Sequence, residues 1–154
     1  MGYYDGSDFK IVADGIAYAN GINIDFERNL LYVAASRSFL VHVFNIQDNA
    51  ELEEVESIDC GTGVDNIELD PDHNLWIGCH PSLMAFASYA QGKLEIAPSE
   101  IIKIKYTGTG DYEVESLYVN DGSEMSGCSV ASPYQDRIFV GNVMDNHFLV
   151  LKQP

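Results

Sequence analysis

The feature that most constrains this chain is a repeat. Asn20-Gly21-Ile22-Asn23-Ile24-Asp25 and Asp65-Asn66-Ile67-Glu68-Leu69-Asp70 stand 45 residues apart, and each sets amide or acid oxygens at the mouth of an apolar run. A polar turn and a second apolar run follow in both, Leu30-Leu31-Tyr32-Val33 in one and Leu75-Trp76-Ile77-Gly78 in the other. Recurrence every ~40–50 residues, in units of short strands, marks propeller blades, which bury a hydrophobic face only against their neighbours. The sequence therefore predicts an all-β fold, a partial β-propeller of about two and a half four-stranded antiparallel blades.

Strand-sized runs at 22–24, 30–36, 40–46 and 52–58 are separated by polar turns, and two of them alternate with period two, as half-exposed strands do. They make one blade over about 16–59. A second, over about 64–119, takes strands from residues 65–69, 75–78, 100–106 and 112–119, with a short helix expected at 83–87. A third, over about 127–152, supplies three strands. The run 7–13 reads as the outer strand of a preceding blade, and the whole of 1–154 as one partial propeller domain.

Eight Lys and Arg against 24 Asp and Glu give a net charge of −16, with the acids dispersed. Such a field repels phosphate, so nucleic acid and anionic lipid are excluded as partners. Glu51, Glu53, Glu54 and Glu56 read as a solvated outer strand. No apolar stretch approaches the ~18 residues of a membrane span, and Met1-Gly2-Tyr3-Tyr4-Asp5 lacks the pattern of a secretory leader, so the compartment stays open. Cys60, Cys79 and Cys128 fit neither a zinc nor a redox spacing and are expected as buried thiols.

Taken alone, Asn20-Gly21 is a type I′ turn signal, and Asp65-Asn66 after Gly61-Thr62-Gly63-Val64 is a loop. Their coincidence in register supports another reading, in which Asn20, Asp65 and Asn66 bring hard oxygens toward one axis, as Ca²⁺ requires. Asp25-x-Glu27-x-Asn29 and Asp70-x-Asp72-x-Asn74 imitate the start of an EF-hand loop but lack its later Gly and Glu, and so are blade turns. Gly127-Cys128-Ser129-Val130-Ala131 approaches a nucleophile elbow, yet a strand follows, which leaves Ser129 a lining role. His80, before Pro81 at a strand end, reads either as a turn residue or as a pocket group.

Ala19-Asn20-Gly21-Ile22-Asn23, Val41-His42-Val43-Phe44, Val64-Asp65-Asn66-Ile67, Leu75 to Pro81, Ser129-Val130-Ala131-Ser132 and Gly141-Asn142-Val143 occur in an order and spacing that resemble the paraoxonase (arylesterase) family from about Ala13 onward. The resemblance implies the C-terminal half of a six-bladed propeller that hydrolyses lactones and aryl esters with an axial calcium. It implies calcium ligation by Asn20, Asp65 and Asn66, a catalytic role for His80 beside the metal, and substrate-pocket walls at Tyr18, Ser129 and Val143. It also implies that a Glu and an Asn ligand, a histidine dyad and a structural calcium belong to the other half. The cysteine that staples vertebrate members near the C-terminus has no counterpart here, which points to a non-vertebrate relative. Two functions follow as expectations. One is a calcium-dependent ester and lactone hydrolase of which this chain is a fragment inactive alone, acting on a small-molecule substrate. The other is a non-catalytic half-propeller that self-associates or pairs with a missing N-terminal half.

Overall fold

The computed structural model describes residues 1–153. The chain opens with a hairpin of β1 (Gly2–Tyr4) and β2 (Phe9–Ile11), joined in antiparallel register with Tyr3 opposite Lys10. The run at 7–13 is thus paired, a feature hidden in the sequence because three residues at 2–4 are too few to show alternation.

The first four-stranded sheet is consecutive and antiparallel: β3 (Ala19–Asp25), β4 (Leu30–Ala35), β5 (Leu40–Ile46) and β6 (Leu52–Asp59). Next, β7 (Gly63–Leu69), β8 (Leu75–His80), β9 (Ser99–Gly108) and β10 (Asp111–Asn120) form the second. Between β8 and β9 the chain makes helix α1 (Leu83–Ala90), three residues longer than the sequence suggested. A three-stranded sheet follows from β11 (Cys128–Tyr134), β12 (Arg137–Asn142) and β13 (Leu149–Lys152). The fold is all-β, a partial propeller. Among the described residues no helix is long and apolar enough to cross a membrane.

Period-two alternation explains how the sheets stack. On β4, Leu30, Tyr32 and Ala34 face a core shared with the second sheet, where they meet Val64, Ile77 and Ile102. Leu31 and Val33 face the opposite way, onto Phe44, Ile24 and the N-terminal segment at Met1, Ala13 and Ile16. A third cluster joins the second sheet to the last through Trp76, Ile101, Met125, Ile138 and Val140. Each fully buried Ile or Leu here stabilises the fold by about 1.5–3 kcal/mol relative to exposure. The acidic strand β6 has mostly exposed Glu side chains, as a solvated outer strand should.

The two EF-hand imitations are tight turns between paired strands. Asp25 Oδ1 accepts from the backbone N–H groups of Glu27 and Arg28, at 3.1 and 3.0 Å. Asp70 Oδ1 accepts from those of Asp72 and Asn74, both at 2.9 Å. Each carboxylate is therefore engaged in closing its own turn.

Candidate functional site

The three innermost strands share one irregularity. The ladder slips between Ala19 and Ile22 on β3, between Val64 and Ile67 on β7, and between Cys128 and Val130 on β11. A bulge breaks the in-out alternation and re-aims the side chains it carries. These bulges carry Asn20 and Gly21, Asp65 and Asn66, and Ser129 respectively. Because β3 packs on β7 and β7 on β11, the three lie side by side.

Gly21 makes the first junction possible. A Cβ at that position would stand 2.3 Å from the Asp65 carbonyl oxygen and 2.7 Å from Asn66 Cα. The type I′ turn suggested by Asn20-Gly21 does not form: both residues lie within β3, and the Gly serves backbone approach between blades. Gly78 plays the same part at the second junction, where a Cβ would meet Val130 N at 2.4 Å.

Over the bulges opens a cleft of about 720 Å³. Tyr18, Asn20, Asp65, Asn66, His80, Ser129 and Val143 all line it. So do residues the sequence did not single out, namely Ser36, Arg37 and the α1 residues Leu83, Phe86 and Ala87. The helix was legible as a helix, but a short segment without a strong polar face carries no signal of where it docks. Ser82 caps it by accepting from Ala85 N at 3.2 Å. Tyr89 ties it to the last sheet by donating to Asp145, which also accepts from Ser126 N at 2.7 Å.

Asp65 and His80 are nearly inaccessible, 6% and 3% exposed, and His80 Nε2 lies 3.2 Å from Asp65 Oδ2. The imidazole stacks on Phe86, ring centroids 3.9 Å apart and 13° from parallel. His80 Nδ1 is enclosed and has no partner among the described residues. His80 Nε2 is thus directed at Asp65, while the ring as a whole belongs to the lining of the cleft.

The two amides are held in one sense. Asn66 Nδ2 donates to the Ser129 carbonyl at 3.1 Å, and Asn20 Nδ2 donates to Ser36 Oγ at 3.3 Å. Each amide nitrogen is thereby engaged, and neither Oδ1 accepts a hydrogen bond from the described residues. Among the described residues no three His, Cys, Asp or Glu side chains converge as a metal cluster. The donor set at the cleft is instead one carboxylate and two amide oxygens, which suits calcium's preference for hard oxygens, carboxylate and carbonyl alike.

The chain matches the Arylesterase family over residues 1–150. It belongs to that family. It is 36% identical over 143 residues to human serum paraoxonase/arylesterase 1, covering 92% of this chain and 39% of that protein. Rabbit (Oryctolagus cuniculus) serum paraoxonase/lactonase 3 is also 36% identical, over 92% of this chain and 40% of its own length. Rat serum paraoxonase/arylesterase 2 is 34% identical with the same two shares. The chain spans about two fifths of the length of these curated relatives, somewhat less than the half that the resemblance suggested. The match also begins earlier than Ala13 and takes in the first hairpin.

In this arylesterase-family chain the thiols are not candidate nucleophiles. All three cysteines are free; burial pushes Cys60 and Cys128 up to about 12 and raises Cys79 well above the ordinary thiol value. A thiol held protonated is inert near neutrality. Arg37 is the one cation lining the cleft, and its side chain forms no ion pair among the described residues.

Proposed function

We propose that this chain is part of a calcium-assisted hydrolase of lactones and aryl esters, and that it contributes one wall of the active-site cleft and part of the metal shell. The observation that carries this reading is the row of three bulges on adjoining inner strands, which turns Asn20, Asp65 and Asn66 toward one cleft beside an apolar helix. The residues fit the metal: Asn20 and Asn66 have their amide nitrogens tied back, and Asp65 has one carboxylate oxygen directed at His80 and the other without a hydrogen bond among the described residues. Calcium takes about 6–8 oxygens, so these three supply part of a shell and the rest of the ring supplies the remainder.

The chemistry a bound calcium supplies is polarisation of the ester carbonyl and compensation of the negative charge that grows on its oxygen. The chain's own residues perform the other tasks. His80, as the tautomer carrying its proton on Nε2, donates to Asp65 and fixes the carboxylate's orientation. Phe86, Leu83 and Ala87 on α1, with Tyr18 and Val143, form the apolar wall that holds the aryl or alkyl part of the substrate and displaces water from around the carbonyl. The names of the relatives, arylesterase and lactonase, support lactones and aryl esters as the substrate classes.

A second reading is an assembly module that pairs with a like or complementary half. It is supported by exposed apolar side chains at the two ends of the chain, Phe9 and Ile11 on β2 and Phe148 and Val150 beside or on β13. Such surface favours burial against a partner. Phenyl acetate and γ-butyrolactone hydrolysis, measured on a protein of the relatives' length carrying this segment, separates the two. The hydrolase reading expects activity lost to a calcium chelator and reduced more than about 100-fold by Asp65→Asn. Hydrolysis indifferent to both would overturn it.

A further inference from the structure

We infer that Ser36 is the residue that positions Asn20, by a one-proton argument that also couples two blades. Ser36 is 3% exposed and stands one residue beyond β4. Its Oγ lies 2.5 Å from the carbonyl oxygen of Val64 and 3.3 Å from Asn20 Nδ2. A backbone carbonyl only accepts, so the single hydroxyl proton is directed at Val64 O. The Oγ lone pairs are then all that Asn20 meets, and they require a donor. The amide is forced to present Nδ2 to Ser36 and Oδ1 away from it, which settles an orientation that rotation about the terminal torsion would otherwise leave free.

Val64 is the residue immediately before the bulge that carries Asp65 and Asn66. One hydroxyl therefore fixes the Asn20 oxygen and anchors the start of the neighbouring bulge. The counterpart at the next junction is different in kind. Asn66 Nδ2 donates to a backbone carbonyl, that of Ser129, so its orientation survives any side-chain change there. Asn20 alone depends on a side chain that substitution can remove. Outer groups that orient metal ligands typically contribute 10–100-fold in affinity. The inference rests on the calcium reading for its purpose, while the clamp itself stands on the geometry of Ser36, Val64 and Asn20.

A double-mutant cycle on the 154-residue chain tests it, with thermal midpoints measured for the wild type, Ser36→Ala, Asn20→Asp and the double variant in chelator. Asn20→Asp replaces the donor by a second acceptor, so one proton faces two acceptors. Each single change is expected to lower the midpoint by about 2–4 °C, and the double by clearly less than their sum. Additive shifts overturn the inference, because a Ser36 that merely held Val64 would be indifferent to position 20. The side-chain amide resonances of Asn20 supply an independent readout. In the wild type the NH₂ proton bonded to Ser36 is expected to be shifted downfield and to exchange slowly; in Ser36→Ala that signature is expected to be lost, and unchanged resonances also overturn the inference. Calcium titration of a protein of the relatives' length carrying this segment then separates the two claims: there Ser36→Ala is expected to weaken binding about 10-fold. Coupling in the cycle with no calcium response in that longer wild type overturns the metal reading and leaves the clamp intact.

Discussion

Replacing Gly21 by Ala puts one methyl group between two backbones. The added carbon would stand 2.3 Å from the Asp65 carbonyl oxygen, 2.7 Å from Asn66 Cα and 2.9 Å from Ile67 N. Non-bonded contacts to carbon settle near 3.5–4.0 Å, so β3 and β7 must part by about 1 Å. Neither side has a rotamer to change, since every atom met is main chain. Overpacking costs about 1–3 kcal/mol where side chains relieve part of it, and this junction belongs at the upper end, about 3 kcal/mol. For a domain of this size that lowers the thermal midpoint by about 6–12 °C. The separation also falls between Asn20 and Asp65, where a misplacement near 1 Å can cost about 100-fold in a site's function. Thermal unfolding of Gly21→Ala, and calcium titration of the same change in a protein of the relatives' length carrying this segment, should be run beside Gly108→Ala. At Gly108 nothing lies within 4 Å of the added carbon, and the change is expected to stay within about 0.5 kcal/mol. If Gly21→Ala matches Gly108→Ala in midpoint, the close approach of the two inner strands is not as described and the reasoning fails.

Three further outcomes are expected. Asp25 is 3% exposed and bonds His73 Nδ1 at 2.8 Å besides closing its own turn, so Asp25→Ala should cost about 3 kcal/mol in urea unfolding; no change would show that this link between the first and second sheets is idle. For Asp70, burial opposes ionisation, but donation from Trp76 Nε1, the Asn74 side chain and the Asn74 and Asp72 backbones holds the carboxyl below its ordinary 3.8. A depressed folded-state value gives stability that is present above 3.8 and is lost as pH falls through the lower folded-state value, so Asp70→Asn should flatten the acid limb of the stability curve, and an unchanged limb would count against the turn network. The three thiols should resist a disulfide reagent at about pH 8 in the folded chain and react together on unfolding; fast labelling of Cys79 in the native state would contradict its raised value.

Much of the architecture was legible because it is written between near neighbours. Alternation along 40–46 and 52–58, the turn residues that separate the runs and the 45-residue recurrence are local patterns, and they located the principal strands to within a few residues. The hairpin at 2–11 escaped notice because its first strand is too short to alternate. Asn20-Gly21 was ambiguous for a related reason: the same dipeptide serves a tight turn or a close backbone approach, and only the strand across the junction decides between them. Ser36 gave no signal at all, since a serine at a strand end has no periodicity to violate.

The order of residues by itself determined the sheet-forming units, the oxygen-rich chemistry at 20, 65 and 66, and the acidic surface. It could do so because strand periodicity, turn preference and charge depend on residues adjacent in the chain. Only the tertiary structure decided that the three bulges align, that α1 closes one side of the cleft, that His80 Nε2 meets Asp65, and that Ser36 meets the Asn20 amide. Those facts arise where strands far apart in the chain come within a few ångströms, and a contact of that kind is fixed by packing across blades, which leaves no trace in either segment read alone.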